Sequence, residues 1–413
     1  MLRAGALFVA VTISFVIAVL ISLLITLAFH YKIQNRESLL QKKLERNASS
    51  AITLLINDSV LVEEIKFIDL YGEGSDSVLI KKYSWGVYEV ATVKAFSGKY
   101  QLAKTVEYGY KPDESISGAV YLSDLNKPLY LYGKTKIVGT CYLPEASVRR
   151  GTGGKDFEGS TLIKGTIKNS NNSLPVLNKG VIKKIAGVFG ADQFQIGLYR
   201  EVSLNDSLVN SFHDTTLLVK VSGDLNLSGK YLSGNIIVYS DQSIYIDAST
   251  KLEDVILFAD AIKITKGFIG NIQAFVTDSL VVEENCKLNY PSALGLFKKD
   301  YKTPQPFIKL MKNSELKGII FTCQSESVSD QKQTLIIIET GAIVHGQIYA
   351  DGFAEIKGEL DGMVWCNGFY LDKSPLPNSL LDAVIDYTKL SSYYAGSGLI
   401  ASGKIKKIIK WLE

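Results

Sequence analysis

The uncharged run that opens this chain constrains its fold more than any later segment. No charged side chain occurs between Ala4 and Phe29. A helix needs roughly 20 apolar residues to cross a bilayer, and this run is longer. A cleaved secretory signal has a shorter apolar core followed by a small-x-small site. Here the run leads into HYKIQNRE, which has no such site, so a retained helix is expected. It continues without a break into a charged, helix-favouring stretch ending at Ile56. There Leu39, Leu40, Leu44, Ala48, Ala51, Ile52 and Leu55 recur at helical spacing, with Lys and Glu between them. Arg3 precedes the apolar run, whereas Lys32, Arg36, Lys42, Lys43 and Arg46 follow it. Taken alone, that charge bias places the bulk of the chain in the cytoplasm.

The start MLRAGALFVAVTISF resembles the class III-type leader of type IV pilins and minor pseudopilins. The shared features are a very short basic leader, Gly5 before the cut and Ala6 after it, then an unbroken apolar helix. In that family the helix has an amphipathic second half that packs on a β-rich head, and Arg36 to Ile56 fits that half. The resemblance covers about the first 57 residues. It implies a processing site at Gly5 and Ala6, an inner-membrane single-pass anchor, and a head on the periplasmic or extracellular side. It also implies other envelope or pilus-like subunits, or self-association, as partners. Major pilins carry Glu at the fifth mature position. Ala10 stands there in this chain, as in certain minor members.

Of the 413 residues, 46% are hydrophobic and the net charge is +3. The part after the anchor is long enough for about two or three domains and needs no disulfide staples. No basic excess is available to neutralise phosphates, which argues against a nucleic-acid partner. His30, His213 and His345 lie far apart. Cys141, Cys286, Cys323 and Cys366 show no metal-ligand spacing and read as small buried hydrophobes. No metal and no cofactor is expected.

From Leu61 the texture is β-rich. VLIKKYS, GVYEVATVKAF and YQLAKTVEYGY alternate apolar and polar residues between Gly and Ser, as in an antiparallel meander. Residues 151 to 175 are rich in Gly, Asn and Ser and read as loop. Further on, a quartet of aliphatic, aromatic, small and polar residues repeats. Its copies are Val238-Tyr239-Ser240-Asp241, Leu257-Phe258-Ala259-Asp260, Ala274-Phe275-Val276-Thr277-Asp278 with one insertion, and a fainter Ile320-Phe321-Thr322-Cys323. Ile348-Tyr349-Ala350-Asp351 and Val364-Trp365-Cys366-Asn367 follow, and Asp224 marks an earlier copy. The acidic residues at 224, 241, 260 and 278 are spaced by 17, 19 and 18 positions. Such a period suits a β-solenoid, in which each coil buries its apolar face only by stacking on the next. Asp224, Asp241, Asp260, Asp278, Asp351 and Asn367 are then expected at turns, where their side chains bond backbone and tolerate a left-handed conformation.

The alternation Val344-x-Gly346-x-Ile348-x-Ala350, then Ile356-x-Gly358-x-Leu360-x-Gly362-x-Val364, resembles bactofilins over roughly Gly341 to Leu371. Those are polymer-forming cytoskeletal proteins with a right-handed β-helix. The resemblance implies a cytoplasmic, membrane-tethered scaffold as the rival role. Some parallel β-helices are carbohydrate-active enzymes with convergent carboxylates. Here no arginine occurs between Gly223 and Leu371, and no Ser/His/Asp or Cys/His set converges, so an enzyme is not expected.

The expected fold is mainly β. A transmembrane and amphipathic helix (1–57) precedes an antiparallel β region (58–150) and a loop-rich connector or cap (151–216). A right-handed parallel β-solenoid (217–372) and a C-terminal cap with a basic tail (373–413) complete it. Short helices are expected within 176–192 and 379–391, and the tail reads as either helix or strand. The expected role is a non-enzymatic structural subunit of the bacterial envelope.

Overall fold

The computed structural model describes residues 2–57, 65–70, 72, 76–152, 155–190, 199–298, 305–324, 333–372, 374, 376–400 and 405–412. Parts of the expected antiparallel region (58–64), the connector (191–198) and the Pro- and Lys-rich insert (299–304), with Pro375, lie outside them. The chain divides into two compact units, residues 1–81 with 93–104, and residues 82–92 with 105–413.

In the first unit, one helix spans Leu2–Asn57. Gly5 to Leu39 is exposed throughout, while Leu44, Ala48, Ala51, Ile52 and Leu55 are buried. The buried set follows the i, i+4, i+7, i+8, i+11 stripe of an amphipathic helix. Leu39 was expected on that stripe, but it is 59% exposed and belongs to the unpacked half. Ile65–Ile68 pairs antiparallel with the start of Asp76–Trp85, Ile65 facing Lys81 and Ile68 facing Val78. Gly98 has a φ of +57° in the turn between Tyr88–Ser97 and Tyr100–Tyr110, a conformation that glycine adopts without a Cβ penalty.

The second unit carries a short antiparallel sheet and a large parallel one. The tail is a strand, Lys406–Leu412, antiparallel to residues 105–110. The parallel sheet is a stack of similar layers. Lys251–Ile264 pairs with three consecutive shorter strands of the preceding layer: Tyr231–Gly234, Ile236–Ser240 and Ser243–Ile246. The next strand, Ile269–Val282, then pairs with it from Asn271 to Val282. Aliphatic side chains fill one interior row. Val219, Val238, Leu257, Ala274, Leu294, Ile320, Ile348, Val364, Val120 and Cys141 face one another in register and are at most 1% exposed. The stack runs on past the 291–314 insert, because Phe307–Leu310 pairs with strands on both sides.

Two expectations need correction. The antiparallel region ends at Tyr110. Val120–Leu122, Cys141–Leu143 and Ile167–Asn169 extend the parallel stack beyond Glu359–Phe369. Residues 379–391 contain strands Ser379–Leu381 and Val384–Asp386 and one 3-10 turn, Tyr387–Lys389, in place of a helix. Each of those strands is captured by a parallel partner, at Tyr130 to Tyr132 and at Lys136 to Val138.

The stack therefore has the last part of the chain against an early part. After Asn169 the chain runs along the outer face of the stack, as far as Phe189 among the described residues. A helix, Lys179–Gly187, lies on that path, with Asn178 Oδ1 accepting from Gly180 N at 3.0 Å and from Val181 N at 3.4 Å as N-cap. Val181 and Ile185, one turn apart, are its buried residues.

Candidate functional site

Two regions stand out by their chemistry, and each belongs to one unit. In the first unit it is the upper half of the helix. Leu7, Phe8, Phe15, Leu20, Leu24 and Phe29 are each 55–70% exposed. The hydroxyls along it turn inward, Thr12 Oγ1 to Phe8 O at 3.0 Å and Ser14 Oγ to Ala10 O at 2.9 Å. Bonding their own backbone lets such residues sit in apolar surroundings. Gly5 and Ala6 lie in the exposed first turns, and nothing lies within 4 Å of a Cβ placed on Gly5. Among the described residues this is the helix long and apolar enough to cross a membrane.

In the second unit it is the outward face of the stack. The aromatic member of each quartet falls in one row, which runs Lys220, Tyr239, Phe258, Phe275, Gly295, Phe321, Tyr349, Trp365, Tyr121, Tyr142, Lys168. An ammonium group sits over the ring at each end, Lys220 Nζ at 5.9 Å from Tyr239 and Lys168 Nζ at 5.4 Å from Tyr142. At Gly295 a Cβ would collide with the Phe321 and Phe275 rings, which close over the gap. The returning segment covers the row. Tyr121 OH donates to Ser173 O at 3.3 Å, Tyr349 OH donates to Pro175 O at 3.0 Å, and the Phe189 ring meets Phe258 at 5.6 Å. These aromatics are a second buried core.

The repeated acids have varied fates. Asp241 sits in a bend and Asp224 directly after one, and both cross-link adjacent layers, through Ser243 N to Asp224 Oδ1 at 3.1 Å and Gly223 N to Asp241 Oδ1 at 2.6 Å. Asp260, Asp278, Asp351 and Asn367 were expected at turns but lie within strands. Asp260 and Asp351 fall where the register shifts, between Ala259 and Ala261 and between Ala350 and Phe353. A bulge turns this corner, with Asp260 and Asp351 themselves outside the left-handed region and Gly352, φ +152°, taking the positive φ beside Asp351. Left-handed positions recur at another corner, at Gly267, Asn285, Asn313 and Gly341, in Lys-Gly, Glu-Asn, Lys-Asn and Thr-Gly pairs that the quartet alignment overlooked. Asp351 joins a ladder: it accepts from Gln324 N at 3.0 Å and Asn367 Nδ2 at 3.2 Å, and Ser123 Oγ donates to Asn367 Oδ1 at 2.9 Å. Burial raises the Asp351 carboxyl above the ordinary range.

On the stack surface, several carboxylates lie against lysine or histidine side chains. Glu283 is 2.9 Å from Lys263, Glu339 is 2.6 Å from Lys309, and His345 lies between Glu315 at 3.3 Å and Asp361 at 3.1 Å. Burial pushes the Cys141 thiol up to about 12 and the Cys323 thiol to about 11, which leaves neither primed as a nucleophile.

One cluster had no signal in the sequence. Glu107, 2% exposed, Lys410 and Asp254 converge from three strands. Lys410 Nζ contacts Asp254 Oδ1 and lies 3.9 Å from Glu107 Oε2. Burial pushes the Glu107 carboxyl up to about 8, against the pull of the Lys410 charge and with help from Asp254. Asn271 Nδ2 donates to Asp254 Oδ1 at 2.8 Å, and Trp85 Nε1 donates to Asp254 O at 3.2 Å.

The described residues form a mainly β protein with one long, apolar N-terminal helix. No protein-family model matches the chain, and no curated protein does. Among solved structures, it is similar to the competence-associated pilin ComZ from Thermus thermophilus. The two are 10% identical with a TM-score of 0.19, over 86% of this chain and 87% of that one. At that score the likeness carries no argument about fold or role.

Proposed function

We propose that the chain is a non-enzymatic, membrane-anchored structural subunit of the bacterial envelope, pilin-like in its helix and carrying a right-handed β-solenoid head. The observation that carries this reading is the division of the Leu2–Asn57 helix into an exposed apolar half and a half with a buried stripe. The exposed half has the surface of a segment that lies in lipid or among the helices of identical subunits. The solenoid rests on the layer-to-layer parallel pairing, and its hand on the near-universal right-handedness of parallel crossovers.

The non-enzymatic reading is supported by the repeated acids, which bond neighbouring layers, and by the surface carboxylates that sit in ion pairs. Growth through the stack ends is disfavoured. Phe157, Leu162 and Ile163 pack on the interior in the last layer, and Val202, Leu204 and Leu208 do so in the first, and apolar plugs of this kind blunt open edges. Assembly then falls to the helix. The tethered bactofilin-like scaffold keeps the basic flank of the helix in its favour.

The test is the N-terminus of membrane-extracted protein, read by N-terminal sequencing and intact mass. A chain beginning at Ala6 supports pilin-type processing with an outward head. Retention of Met1, Leu2 and Arg3 overturns it in favour of a plain anchor and the tethered scaffold.

A further inference from the structure

We propose that Lys410 and Asp254 form a covalent modification site, an intramolecular amide between Lys410 Nζ and Asp254 Cγ whose formation Glu107 assists by proton transfer. The inference stands apart from the envelope reading.

The geometry is that of a reactive pair. The amine and the carboxyl are in direct contact, and Glu107 Oε2 lies 3.9 Å from the same nitrogen. Side-chain exposure is 25% for Lys410, 22% for Asp254 and 3% for Glu107. Trp85, 3% exposed, donates through Nε1 to Asp254 O, and its ring meets that of Phe212, 4% exposed, edge to face at 5.2 Å. The carboxyl is held still. Asn271 donates to Asp254 Oδ1, and its own Oδ1 accepts from Asp254 N at 2.7 Å. Asp254 is fixed in the left-handed region with a φ of +62°, a conformation that costs an L-residue energy unless its surroundings enforce it. Proximity and orientation of this kind replace an unfavourable bimolecular encounter by an intramolecular one.

The step needs the neutral amine and the neutral acid, which differ from the ion pair by one proton transfer within the contact. A proton passes from the Lys410 ammonium to the Asp254 carboxylate. The free amine lone pair attacks Cγ and forms the C–N bond. Glu107 donates its proton to the departing hydroxyl, the C–O bond breaks, and one water leaves. The remaining surplus proton on nitrogen returns to Glu107. One ammonium and one carboxylate become one amide and one water, with no oxidant or co-reactant. Burial keeps the Glu107 carboxyl protonated near neutral pH, the state an acid needs for this task.

The bond would tie the C-terminal strand to the parallel stack. It is tested on full-length protein extracted from membranes, denatured, digested and examined by peptide mass spectrometry. The expected result is a branched peptide joining the Asp254 and Lys410 segments, one water lighter than their sum. It should be absent from K410R and D254A, and reduced about tenfold or more in E107Q. Circular dichroism of each variant checks folding, and K410R, which keeps the positive charge, separates loss of the bond from loss of fold. Recovery of both wild-type segments unjoined overturns the proposal. A full yield of branched peptide in folded E107Q overturns the role of Glu107.

Discussion

Gln273 acts as a strand partner for Val87, a residue 186 positions away in sequence. Its Oε1 accepts from Val87 N at 2.9 Å, and its Nε2 donates to Trp85 O at 2.8 Å. A side chain on the parallel stack thereby satisfies both backbone groups of the Trp85 to Tyr88 turn. Q273A leaves two buried backbone groups unpaired and should cost about 2–4 kcal/mol. Gly86 has a φ of +60°, and a Cβ there would strike Gln273 Oε1. G86A should destabilise too, by about 1–3 kcal/mol. Urea titration followed by tryptophan fluorescence reads both, with Trp85 at the site.

The aromatic row predicts a graded response. Phe275 is fully buried between Phe258, Phe297 and Phe321. F275A should therefore lose about 3–5 kcal/mol. The end lysines are exposed, and K220A or K168A should each lose no more than about 0.5–1 kcal/mol. The spread is measurable as shifts of the denaturation midpoint at constant slope.

Gly346 occupies a corner where successive layers approach closely. Its φ is +142°, and a Cβ there would overlap Gly318 O, which also accepts from Tyr394 OH at 3.0 Å. G346A should cost about 1–3 kcal/mol or more through backbone strain. Thermal unfolding compares it with an exposed control such as G187A, where a Cβ meets nothing.

Glu107 sets a direction for pH dependence. Its carboxyl is raised from 4.5 to about 8 in the fold, so between those values the folded chain holds a proton that the unfolded chain releases. Its contribution to stability is full below pH 4.5 and is lost as pH rises through about 8. Folded E107Q should show a flatter stability profile across that window, measured by denaturation at a series of pH values.

The helix and the repeat were legible because both are local patterns. The quartet places its aliphatic residue inside and its aromatic residue outside, so Val238, Leu257, Ile348 and Val364 line up in one row and Tyr239, Phe258, Tyr349 and Trp365 in the next. The same signal is present, unread, in Val120-Tyr121-Leu122-Ser123, which stacks on Val364-Trp365-Cys366. It was hidden by sequence distance and by the Tyr-rich strands just before it. The segment 379–391 misled because its helical spacing lost to parallel partners more than 240 positions away. Glu107, Asp254 and Lys410 gave no warning: antiparallel pairing sets Lys410 against Glu107, and Asp254 meets Lys410 from the parallel stack, 156 positions away in sequence. The acids of the quartet were found, but a bulge rather than a turn explains Asp260 and Asp351.

Val120 faces Val364 across the sheet, and this has a temporal side. During synthesis the strands from 120 to 169 leave the ribosome first, yet their template is made some 200 residues later. The layers that begin the head in the order of synthesis are those that complete it in space. Until Glu359–Phe369 is in place they are unmatched edges, the kind of late, long-range closure that slows folding and exposes a chain to mispairing.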